Sequence, residues 1–198
     1  MNKVLLLGLL LALPALAASD DARYCLVCHG SNASGNATVA APNLSILPGW
    51  YLKGQLHGFG QGWRGQGDWH GQEMAAVAKT MSPQHIQEAV SFLAGLGVHR
   101  AEGTLDGDPA RGQVLYPRCA GCHGDNGQGL EALQAPPLAG QSDWYLFKQL
   151  KAYRDGERGQ AGTDQSGQIM GQAALLLGSD QEMRDLAVYL NQLSAPPH

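Results

Sequence analysis

Apolar side chains recur along this 198-residue chain at spacings of three and four, the period that places them on one face of an α-helix. Met183, Leu186, Ala187, Leu190 and Leu193 form one such stripe, and Ile86, Ala89, Val90 and Leu93 form another. Tyr51, Leu52, Leu56 and Phe59 predict a further amphipathic helix, as do Tyr145, Leu146, Gln149, Leu150 and Tyr153. Helix starts are marked as well. Ser82-Pro83 joins a capping hydroxyl to a proline suited to the first turn, and Ser179-Asp180-Gln181-Glu182 has the spacing of a capping box. Asp108-Pro109 opens a shorter helix through Tyr116. Strand-like alternation is absent, so the fold class predicted is all-α.

The amino terminus follows another pattern. Met1-Asn2-Lys3 precedes an uncharged apolar run over 4–13, and Ala15-Leu16-Ala17 has the small-x-small form that a signal peptidase cuts. Residues 1–17 are therefore predicted to be a cleaved secretory signal, with the mature protein periplasmic. The run is too short for an ordinary membrane span; retained, it would tether the protein to the membrane. No later stretch is apolar enough to cross a bilayer.

The chain repeats itself. At an offset of 94 residues Pro42 pairs with Pro136, Leu44 with Leu138, Trp50 with Trp144, Tyr51 with Tyr145, Gln55 with Gln149, and Arg64 with Arg158. The offset becomes 96 at Met74 and Met170 and 97 at the closing stripes, slips of the size loops tolerate. This internal duplication predicts two tandem domains, 18–98 and 108–198, joined by a linker over 99–107. Gly112 would match Ala18, so cleavage leaves the first copy almost without its leading helix.

Only 15% of residues are charged, 27 are glycine and the net charge is −4, which gives no basic footprint for a nucleic acid. Four cysteines in an exported chain could form disulfides, but their placement argues otherwise. They occur as Cys25-Leu26-Val27-Cys28-His29 and Cys119-Ala120-Gly121-Cys122-His123, each followed by glycine. CxxCH reads as covalent haem attachment. The two thiols add across the haem vinyl groups, one helical turn setting their reach, and the adjacent histidine lies under the porphyrin face. Zinc would need both cysteine pairs at one centre, and a thioredoxin-like site would need a βαβ context; neither suits two separate motifs. Two covalently bound haem c groups are expected, on Cys25 and Cys28 and on Cys119 and Cys122, with His29 and His123 as iron ligands.

Met74 and Met170 are the expected second ligands. Among the mature methionines only they recur at matching points, whereas Met81 and Met183 read as packing. Buried methionine is ordinarily core filler, and here the duplication tips the balance. The rivals are His57, which falls where the second copy has Lys151, and His70, in a Gly-rich loop; either could instead be a solvated side chain.

These residues resemble the dihaem cytochrome c4 family, duplicated class I c-type cytochromes. The likeness is carried in the second half by Pro136-Pro137-Leu138-Ala139-Gly140-Gln141 and Trp144-Tyr145-Leu146-Phe147-Lys148-Gln149-Leu150. The first half keeps Pro42-Asn43-Leu44 and Tyr51-Leu52-Lys53-Gly54-Gln55-Leu56, departs over 45–49 and carries an unexpected Trp- and Gly-rich stretch over 58–71. The resemblance implies that the Pro42 and Pro136 carbonyls accept the second ring N–H of His29 and His123. Arg64 and Arg158 become either propionate partners or plain surface arginines. With His and Met on both faces of each iron, no site stays open for a small-molecule substrate. The expected function is electron transfer between respiratory partners, such as oxidase or dehydrogenase complexes. The alternatives are a haem subunit docked on a larger enzyme, or a peroxidase-like haem enzyme should Met74 leave its iron open. A cysteine distal ligand, as in thiosulfate-oxidising dihaem relatives, is excluded because all four cysteines belong to the motifs.

Overall fold

The computed structural model describes residues 20–195, and the predicted signal at 1–17 lies outside them. The first half contains α1 (Asp20–Arg23), α2 (Cys25–His29), α3 (Gly49–Gly60), α4 (Trp69–Thr80) and α5 (Pro83–Ala94). The second contains α6 (Pro109–Leu115), α7 (Pro117–His123), α8 (Asp143–Arg154), α9 (Gln165–Ala174) and α10 (Asp180–Gln192). Among the described residues there is no strand, only isolated bridges at Asn36–Ala41 and Leu130–Ala135.

Side-chain caps start most of the longer helices. Ser82 accepts from the His85 amide at 3.2 Å to open α5, and Asp108 accepts from Ala110 at 2.9 Å to open α6. Ser179 caps Glu182 at 3.2 Å, but the Glu182 carboxylate takes the Gly178 amide at 2.7 Å, one residue earlier than a capping box requires. Two helices, α4 and α9, were not visible in the apolar pattern; Asp68 and Asp164 cap them through the Gly71 and Gly167 amides. His70, expected in a loop, lies in the first turn of α4.

Each half has its own core. Ile46, Leu47, Leu52, Val90 and Leu93 pack in the first, and Leu146, Leu150, Met183, Leu186 and Leu190 in the second. In the second half α10 packs against both α6 and α8, and α8 against α9. The α6–α10 crossing depends on Gly112: a Cβ there would lie 2.1 Å from the Asp185 carbonyl oxygen. In the first half the counterpart of α6 is the four-residue α1, packed on α5.

The segment between α5 and α6 has no helix but is pinned to both halves. Its His99 carbonyl accepts from Asn43 Nδ2 at 2.7 Å, Ala101 N donates to the Gly140 carbonyl at 2.9 Å, and Thr104 and Leu105 amides reach Asp143 Oδ2 at 2.8 and 2.9 Å. The halves also grip each other directly. Asn43 N donates to Gln141 Oε1 and Gln141 Nε2 to the Asn43 carbonyl, both at 2.9 Å, with both side chains almost fully buried. Ion pairing across the boundary is represented by Lys148 Nζ and Asp68 Oδ1 at 2.7 Å.

Candidate haem-binding site

In each half a short helix presents two cysteines and ends on a histidine. Helix α2 carries Cys25, Cys28 and His29, and α7 carries Cys119, Cys122 and His123. The glycines that follow adopt positive φ, +85° at Gly30 and +76° at Gly124, and turn the chain sharply away from the helix. Cys28 and Cys122 are exposed, Cys25 and Cys119 partly buried, and burial raises the thiol pKa of the latter two. All four thiols stand unpaired, in keeping with attachment chemistry rather than disulfides.

Both imidazoles are buried, and each is fixed by one carbonyl. His29 Nδ1 lies 2.8 Å from the Pro42 oxygen, and His123 Nδ1 lies 2.9 Å from that of Pro136. Burial pushes both imidazole pKa values down, more than the carbonyl bond raises them, so the rings are neutral. With Nδ1 donating its hydrogen, the Nε2 lone pair is free for a metal.

A deep cleft in the first half joins these groups. Cys25, Cys28 and His29 line one part of it; Met74 and Met81 line another, with Leu44, Leu52, Phe59 and Leu93 as apolar wall. Met74 projects from α4 and packs beside Phe59, Ala75 and Ala78. Met81 follows the end of the same helix; its counterpart at the 96-residue offset is the buried Leu177. His70 also lines the cleft, whereas His57 stacks edge-on against Trp63 at 5.1 Å. In the second half Met170, on α9, packs against the same core as Cys119, Leu138 and Phe147.

The second half also supplies wall to the first cleft, including Tyr145, Gln149 and Arg158. Here the repeated residues meet reciprocally. Arg158 donates to Gln149 at 2.6 Å within its own half, and to Gln55 at 2.8 Å and Tyr51 at 3.3 Å across the boundary. Arg64 donates to Gln55 within its half, and across the boundary to Tyr145 at 3.1 Å and Gln149 at 3.3 Å. The surface-arginine alternative thus fails for Arg158, which is only 7% exposed. Neither guanidinium has a carboxylate partner among the described residues. Buried cations ordinarily have one.

The donor set fits a haem: thiols for the vinyl groups, a neutral oriented imidazole, a thioether, apolar walls, and unneutralised guanidinium groups for acidic side chains. The pairing of Asn43 with Gln141 and of Asp68 with Lys148 left no mark in the repeat, because Asn43, Gln141 and Lys148 are matched by Pro137, Leu47 and Gly54, and only Asp68 recurs, as Asp164. The matched Gln55/Gln149 and Arg64/Arg158 pairs were the visible sign of the central network.

A fold of small helices with two CxxCH sites defines a c-type cytochrome. The Cytochrome c family model matches residues 109–194. The chain is 35% identical to the thiosulfate dehydrogenase electron acceptor of Stutzerimonas stutzeri (strain A1501), over 87% of this chain and 80% of that protein. It is 32% identical to cytochrome c4 of Pseudomonas aeruginosa, over 80% of this chain and 84% of the relative. The structure of reduced recombinant cytochrome c4 from Pseudomonas stutzeri superposes with a TM-score of 0.69 at 26% identity, covering 90% of this chain and 99% of that one. That of the thiosulfate dehydrogenase TsdBA from Marichromatium purpuratum, as isolated, gives 0.68 at 30% identity; it covers 86% of this chain, which spans only 36% of that longer polypeptide. The chain belongs to the dihaem cytochrome c4 family, duplicated class I c-type cytochromes that bind haem c covalently and act in electron transfer. No helix among the described residues is long and apolar enough to cross a membrane.

Proposed function

We propose that this chain is an exported two-electron carrier, with one haem in each of two domains divided over 99–107. It takes electrons singly from a dehydrogenase and passes them towards a respiratory oxidase. The observation that carries this reading is that Met74 and His29 line one apolar cleft, while Met170, at the repeat position, packs against the same core as Cys119. Cys25, Cys28, Cys119 and Cys122 hold the two haems, His29 and Met74 bind the first iron, and His123 and Met170 the second. The haem iron, cycling between ferric and ferrous, supplies the electron storage.

The protein's own groups make that exchange easy. The Pro42 and Pro136 carbonyls keep the imidazoles in one orientation, and their burial keeps the rings neutral. Met74 and Met170 thioethers bound to the irons would leave no place for water or substrate, so the chain would carry electrons rather than transform a molecule. Gln55, Gln149, Tyr51 and Tyr145 hold Arg64 and Arg158 at the boundary between the halves, where the two guanidinium groups would offer positive charge to haem carboxylates. The names of the relatives favour thiosulfate dehydrogenase as the donor.

Single Met74→Ala and Met170→Ala substitutions test the ligand set. Each is expected to remove about half of the ferric far-red absorption band that marks methionine on haem iron. An unchanged band in the Met74 variant would transfer the role to Met81 or His70, which share the cleft.

A further inference from the structure

The two methionine helices begin in different surroundings. Asp68 opens α4 by accepting from the Gly71 amide at 3.1 Å, and the same Oδ1 accepts from Lys148 Nζ, on α8 of the second half, at 2.7 Å. Asp164 opens α9 through the Gly167 amide at 2.9 Å, but it forms no ion pair among the described residues. A reciprocal pair has no means to form, because the counterpart of Lys148 in the first half is Gly54. One cap is tied to the opposite half and the other is not.

The turn before α4 leans on the second half as well. Arg64 reaches Tyr145 at 3.1 Å and Gln149 at 3.3 Å, and a Cβ on Gly67 would lie 3.1 Å from Glu157 Oε2. The matching turn before α9 is two residues longer, and a Cβ on its Gly162 would meet open space. Arg158 also crosses the boundary, yet six residues separate it from Asp164, against four between Arg64 and Asp68. Met74 follows Asp68 by less than two helical turns, so a shift of the cap carries the thioether with it. Because α4 buries only Ala75 and Ala78, its own packing holds it weakly.

We infer that Lys148 is a positioning residue for the distal ligand of the first haem. Its ammonium holds the start of α4 so that the Met74 thioether stays on the iron. The second half thereby steadies ligation in the first, with no equivalent tie in return. This role rests on Met74 being the ligand.

Added imidazole binds a ferric haem only while the methionine is off, so its apparent affinity reports how often the thioether leaves. Lys148→Met removes the ammonium and keeps the stem; Asp68→Asn removes the carboxylate charge and keeps a capping oxygen. In the haem-loaded protein each is expected to raise the imidazole affinity of the first haem about two- to threefold, in keeping with side chains 35% and 39% exposed, and to leave the second haem as it was. Lys148→Arg is expected to keep the wild-type value, and the double variant to bind imidazole no more tightly than the stronger single one. Shifted haem methyl signals in proton NMR of the ferric protein, assigned to each half with Met74→Ala and Met170→Ala, separate the two sites. The charges removed are opposite, so direct electrostatic tuning of the haem would move the two affinities in opposite directions, whereas loss of position moves both upward. Opposite changes, equal changes at both haems or no change would overturn the role of Lys148 alone. Signals of the first haem that Met74→Ala leaves unaltered would reject Met74 as ligand and the inference with it.

Discussion

Tyr116 stands at the entrance to α7, 3% exposed, with its hydroxyl donating to the Gly124 carbonyl directly after the second CxxCH. Burial pushes its pKa up to about 12, whereas a tyrosine in an unfolded chain ionises near pH 10. The unfolded state thus loses its proton first. The stability contributed by Tyr116 is complete below about pH 10 and is lost as pH rises through about 12. Tyr116→Phe is expected to flatten the decline of melting temperature across that window, at the loss of about 1 kcal/mol of hydrogen bonding at neutral pH. Parallel melts of both proteins at pH 7 and pH 11 check both parts. This role was not legible beforehand, since Tyr116 was seen only as the last residue of a helix and its partner is a main-chain carbonyl. The attachment residues were legible because thioether chemistry fixes residue types at fixed spacing, independent of the fold around them.

Helices α6 and α10 cross closely, and Gly112 permits it. Gly112→Ala sets a methyl against the Asp185 carbonyl, and α6 must move. The expected cost is about 1–3 kcal/mol, confined to the second half because the matching position of the first lies before α1. Thermal unfolding followed at a band of each haem should show the second losing its ligand field earlier than the first. The closing helices were legible in the sequence because their buried positions carry large aliphatic side chains at three- and four-residue spacing. The methionine helices were not. Trp69–Thr80 buries only Ala75 and Ala78, and Gln165–Ala174 buries Gly167, Gly171 and Ala174, so small residues replace the stripe that periodicity detects. Their caps, Asp68 and Asp164, are the signals that a closer reading would have used.

Across the whole molecule, the two halves are joined by a reciprocal arrangement: Arg64 with Gln55, Tyr145 and Gln149, and Arg158 with Gln149, Tyr51 and Gln55. Duplication explains the symmetry, since identical residues at identical places can meet only about an approximate two-fold axis. The sequence revealed the pairs but not that they face one another, because an offset records equivalence and not contact. The Asp68–Lys148 pair has no such echo. Burial raises the Asp68 carboxyl, but the Lys148 ammonium and the Gly71 amide outweigh it and hold its pKa below the usual carboxylate range. Its contribution is therefore present above about pH 4 and lost as acid protonates the folded carboxylate. Solvent screens this partly exposed pair, so Asp68→Asn is expected to cost well under about 1 kcal/mol at pH 7 and progressively less as acid protonates the folded carboxylate, read from denaturant midpoints. Coulometric reduction of the purified mature protein is predicted to take up two electrons per chain, with low-spin spectra before and after; a single electron, or a high-spin fraction in the fully reduced protein, would contradict it.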